Sequence, residues 1–76
     1  MFTGKLISVK SEGLAWPGTV GYDFTFRAAN DATQAEYGTQ STVNFFNSDD
    51  YKFLQGREGQ EISWKRNDSN IPIFQR

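Results

Sequence analysis

A chain of 76 residues with 8 basic and 9 acidic side chains has room for one domain, near the lower limit for a self-sufficient core. Its net charge of -1 is not the strongly basic balance that usually marks a nucleic-acid binder. There is no Cys and no His, which removes disulfides, thiolate metal sites and the commonest catalytic bases and nucleophiles.

Stability therefore falls to packing, helped by self-association. An aromatic content of 16% suits a small β core, because large rings bury much area per residue. No apolar run is long enough to span a membrane. Met1-Phe2-Thr3-Gly4-Lys5 lacks the basic-then-apolar layout of a signal peptide. The expectation is a single cytoplasmic domain over residues 1–76, with no membrane partner.

Residues 2–10 read as a first strand. Leu6 shares a face with Phe2 and Gly4, while Ile7 and Val9 fall on the other. Apolar residues on both faces imply a strand that is covered twice or bends midway, and Gly4 permits a bend. Ser11-Glu12-Gly13 is expected to break the run. Pro17-Gly18 signals a turn. Trp16, just before it, either folds back to plug one end of the domain or offers a ring on a binding loop.

Residues 20–28 carry the clearest pattern in the chain. Val20, Tyr22, Phe24, Phe26 and Ala28 alternate with Gly21, Asp23, Thr25 and Arg27. Period two over this stretch predicts a central strand with one buried face. The polar stretch of residues 29–38, closed by Gly38, lacks apolar periodicity and reads as a long hairpin loop with Tyr37 as its ring. Loops of such length in small domains are commonly functional or disordered.

A third strand is expected over residues 39–47, with Val43 and Phe45 inward. Gln40, Thr42, Asn44 and Phe46 then point outward, and packing alone does not call for an outward Phe. It is covered by another element or a second copy, or it meets a ligand. Residues 48–55 read as a short helix capped by Ser48 or Asn47, with Asp49 and Asp50 in the first turn and Gly56 as its stop. Gly56-Arg57-Glu58-Gly59 is a turn, because a strand with Ile62 and Trp64 inward follows instead of an amphipathic helix. Asn67-Asp68-Ser69-Asn70 is made of turn formers. Residues 71–75 close the last hairpin, where Pro72 limits the strand to an edge. The predicted core is Tyr22, Phe24, Phe26, Val43, Phe45, Ile62 and Trp64.

The order is strand, strand, strand, short helix, strand, strand. The fold expected is mostly β: a small five-stranded OB-like barrel with a short helix between strands three and four. Residues 51–62, Tyr-Lys-Phe-Leu-Gln-Gly-Arg-Glu-Gly-Gln-Glu-Ile, resemble the helix, basic-Gly turn and fourth strand of single-stranded-DNA-binding proteins of the OB type. Residues 22–31 resemble that family's second strand, and the Thr42-Val43-Asn44-Phe45-Phe46 strand follows in the family's order. In length the chain is similar to the single-strand binders of filamentous phages.

The resemblance implies binding of single-stranded DNA or RNA on the outer face of strands two and three. Trp16, Tyr37 and Phe46 would stack on bases, Arg27, Lys65 and Arg66 would meet phosphates, and Asn44 would join them in binding from the outer face of strands two and three. The balanced charge implies modest, salt-sensitive binding. The alternative is a protein–protein interaction module, or a small homo-oligomeric β-barrel adaptor, using Phe46 and the edge near Pro72. An enzyme is not expected: there is no phosphate loop, dinucleotide fingerprint or nucleophile elbow. Asp49-Asp50 is explained by capping. No cofactor or metal is implied.

Overall fold

The computed structural model of the chain describes residues 1–16 and 19–76, with side chains described for residues 1–13 and 21–76. The expected Pro17-Gly18 turn lies outside the described residues, as does the Trp16 side chain. Seven elements follow one another: β1 (Phe2–Trp16), β2 (Thr19–Ala28), α1 (Asp31–Tyr37), β3 (Gln40–Phe45), α2 (Ser48–Leu54), β4 (Glu61–Arg66) and β5 (Pro72–Phe74). The strands form one antiparallel sheet in the order β3-β2-β1-β4-β5. The sheet is open, with β3 and β5 as its edges. Their inner faces still meet, since the Phe45 and Phe74 rings lie 5.6 Å apart.

β1 runs past the break expected at Ser11-Glu12-Gly13 and stays paired with β2 as far as Trp16. Register shifts absorb the irregularity. One falls between Leu6 and Ser8, so Ile7 is an extra residue in the ladder. An extra residue inverts the side-chain alternation beyond it. Leu6 faces inward opposite Phe26, and Val9 also packs on the core, opposite Phe24. Ile7 itself is left exposed. The bend expected in this strand thus sits at Ile7.

Gly4 has a different duty. It lies opposite Ala28, and a Cβ there would come 2.8 Å from Cδ2 of Phe26 and 3.0 Å from the Arg27 carbonyl oxygen. No side chain fits between β1 and the Phe26 ring.

The core is an aromatic cluster built on the inward row of β2. Phe24 is fully buried and lies 5.0 to 5.9 Å, centroid to centroid, from Phe26, Phe45, Trp64 and Phe74. Tyr22 stacks on Tyr51 of α2 at 4.6 Å. Leu54, three residues on, is fully buried. Val43, expected in the core, is only half-buried: it sits on an edge strand and packs against the cluster from one side.

α2 is where the sequence places it. Its cap is Asn47, whose side chain accepts from the N–H groups of Asp49 (2.7 Å) and Asp50 (3.3 Å). α1 replaces the expected long loop. Asn30 caps it by accepting from the Thr33 N–H at 2.9 Å, and Gly38 ends it at φ 84°. Thr33 is fully buried, and its hydroxyl accepts from the Thr3 N–H at 2.8 Å. A polar helix is thereby fixed to β1 through one hydroxyl and one ring, that of Tyr37.

Candidate nucleic-acid interface

The ladder registers define the outer face of the sheet. One row runs Lys5, Arg27, Gln40 across β1, β2 and β3; the next is Ser8, Thr25, Thr42; a third is Lys10, Asp23, Asn44. The Ile7 bulge assembles this face. Lys5 and Lys10 differ by an odd number of positions and would point to opposite sides of a regular strand. The extra residue brings both onto the outer side, which no count along the sequence reveals. Their pairing with Arg27 and Asp23 is the only signal that finds them.

Arg27 and Lys5 are the two cations at one end of the face, with Glu61 of β4 opposite Lys5 on its other side. Arg27 Nε reaches Gln40 Oε1 at 3.5 Å, at the long limit for a hydrogen bond. Neither cation makes an ion pair among the described residues. The middle row is made of hydroxyls, with Thr25 and Thr42 joined oxygen to oxygen at 2.8 Å. The far end is mixed in charge. Asp23 is nearly buried between Lys10 and Asn44. A hydrogen bond to Asp23, reinforced by the repulsion between the two carboxylates, raises the pKa of the exposed Glu12 above its usual range.

Phe46 lies just beyond β3 at this end and is 42% exposed. The strand expected over residues 39–47 stops at Phe45, so Phe46 lies outside it. From Gln40 to Phe46 the face runs ~20 Å at ~3.3 Å per residue.

The seven residues singled out in the sequence do not form one cluster. Arg27 and Asn44 share the outer face of β2 and β3, and Phe46 stands at its end. Tyr37 does not lie on a loop beside the face. It is the last residue of α1, turned toward the core, with ring centroids 5.1 Å from Phe2 and 5.2 Å from Phe26. Its hydroxyl accepts from Trp64 Nε1 at 3.4 Å. Arg66 covers the same end of the core. Its guanidinium lies 5.2 Å from the Phe2 ring and 5.7 Å from that of Tyr37, and it pairs with Glu36 at 2.6 Å. Both residues are spent on packing α1 against the sheet. Lys65 is on the outer face but across β1, where it lines a groove of about 330 Å³ with Met1, Ile73 and Phe74. Trp16 has no described side chain.

Every buried side-chain polar atom among the described residues has a hydrogen-bond partner. Compared with known proteins, the chain matches no family model, no curated protein and no solved structure.

Proposed function

We propose that this chain is a single-stranded nucleic-acid-binding domain of the OB type, which lays a strand along the outer face of β2 and β3. The observation that carries this reading is the pair of cations at one end of the face: Lys5 and Arg27 stand opposite each other on adjacent strands without an ion pair among the described residues. The hydroxyls of Ser8, Thr25 and Thr42 lie beside them, and the exposed Phe46 ends the face. Support for the OB layout comes from the sheet order, from α2 between β3 and β4, and from the approach of Phe45 to Phe74, where a barrel would close.

Cations fix phosphates without reading sequence, and a ring stacks on any base. Binding is then weakly selective and weakened by salt. Arg66 and Tyr37, held at the α1 end of the core, take no part.

Fluorescence anisotropy of a labelled oligo(dT), titrated at low and high salt, tests the proposal. The wild-type protein should bind at low salt and release as salt rises. Arg27→Ala should weaken binding to all sequences and flatten the salt slope by about one phosphate contact. Phe46→Ala should lose roughly 1–3 kcal/mol of affinity through lost stacking, with its melting temperature unchanged. Absence of binding to DNA and RNA oligomers at low salt sinks the proposal and leaves a protein-interaction module, a reading favoured by the outer edge of β3, which has no strand beside it among the described residues.

A further inference from the structure

The free edge of β3 has a defined hydrogen-bonding face. The Ala28 N–H donates to the Thr39 carbonyl at 2.9 Å, so at this position the backbone groups of directly opposed residues face each other. The register carries the same relation to Phe26 and Ser41, Phe24 and Val43, and Tyr22 and Phe45. In an antiparallel ladder such pairs alternate with pairs whose backbone groups point away from each other. Gln40, Thr42 and Asn44 are therefore the residues whose N–H and C=O groups face outward. The 2.8 Å contact between the Thr25 and Thr42 hydroxyls agrees, since side chains approach more closely at the non-bonded pairs. β3 has β2 as its sole ladder partner among the described residues.

An exposed edge is a template for another strand, and proteins blunt it with charge, proline or bulges. β3 has none of these. Residues 37–48 carry no charged side chain, and the β2–β3 register is unbroken. The opposite edge is blunted: β5 has three residues, and Pro72 there has no N–H to give.

We propose that β3 is the seam at which a second copy of this chain adds edge to edge, antiparallel, with its two-fold axis at Thr42. About that axis Thr42 opposes Thr42 of the partner subunit, and Gln40 opposes the partner's Asn44. All the outward backbone groups of β3 are then satisfied in both copies. The pairing is permitted by charge. A two-fold seam sets the strip against itself, and an uncharged strip has no like charges to bring together. The two sheets become one, and the outer faces of both copies run on continuously. This inference is independent of nucleic-acid binding, because it rests on the edge backbone of β3 and on the lack of charge beside it.

The chain contains no Cys, so a single introduced thiol is a clean probe. Opposed residues of a bonded antiparallel pair have Cα atoms about 5.5 Å apart, within disulfide range. Under mild oxidation Thr42→Cys should give a covalent dimer, whereas Ile73→Cys on β5, at the same concentration, should stay a monomer. Sedimentation equilibrium of the wild type should show twice the 8.6 kDa chain mass. Thr42→Lys, which sets two ammonium groups face to face, should raise the dimer dissociation constant by up to about fivefold. If Thr42→Lys fails to fold, the pair of Cys variants decides the question. A wild type that is monomeric at every concentration overturns the proposal. So does a dimer in which Thr42→Cys cross-links no faster than Ile73→Cys.

Discussion

Phe24 and Thr25 are consecutive residues of one strand, and their surroundings have little in common. The Phe24 ring is within 6 Å of the rings of Phe26, Phe45, Trp64 and Phe74, centroid to centroid, and no part of it meets solvent. Thr25 bonds to one hydroxyl on a surface that water reaches. The inner face of β2 decides whether the chain folds, because a domain this small has no second core to fall back on. The outer face is left free to be polar and charged, and under the proposed function substitutions there act on binding. Stability and the proposed binding are thus divided between the two sides of one strand.

The sharpest way to break this division is Phe24→Ala. It should cost roughly 3–5 kcal/mol, enough to unfold the domain at room temperature, as read by urea denaturation. A mutant melting within a degree or two of wild type would remove Phe24 from the centre of the core. Gly4→Ala tests the same side from β1. The added methyl meets an aromatic carbon and a backbone oxygen that cannot both withdraw, so a loss of about 1–3 kcal/mol is expected in the same assay. A neutral result would mean that β1 and Phe26 separate easily.

On the outer side, Thr25→Val keeps the branched side chain and deletes the hydroxyl. It should change stability by about 0.5 kcal/mol or less, and a larger loss would show that the outer face also holds the fold together.

The smallest effect is one of pH. The neighbouring Asp23 carboxylate makes the folded chain hold the Glu12 proton longer than the unfolded chain does. The associated stability is present below the ordinary glutamate range and is lost as pH rises through the raised folded value. Because Glu12 is exposed, the slope is shallow. Glu12→Gln should flatten it in melts taken across the carboxylate range, and an unchanged slope would exclude this carboxylate pair as its source.

How much could be read in advance depended on whether a residue's partner lay nearby in the chain. The alternation through Tyr22, Phe24 and Phe26 is a local signal of a one-sided strand, and α2 carries its own cap and acidic first turn. Residues 29–38 lack an apolar stripe, the main local signal of a helix. α1 is anchored instead by Thr33 and Tyr37, whose partners, Thr3 and Trp64, lie 30 and 27 residues away. Its punctuation was nevertheless present: Asn30 as a cap, Asp31 in the first turn, good helix formers between, and Gly38 as the stop. The candidate face was half legible. Arg27, Thr42 and Asn44 follow from strict alternation in β2 and β3. Lys5 and Lys10 do not, because a bulge is a property of the ladder that two strands make together.

Trp64 is fully buried, its indole N–H is held by the Tyr37 hydroxyl, and the Phe26 ring sits 4.6 Å away. It is an internal chromophore in a dry, rigid, asymmetric setting. The chain has one other tryptophan, Trp16. In a Trp16→Phe background, Trp64 would be the sole indole, with blue-shifted emission and a structured near-ultraviolet dichroism band while the core stays packed. Walled off from the outer face, it would respond to unfolding and stay silent to a ligand that only touches the surface. A single cuvette then separates a compound that binds the sheet from one that melts it.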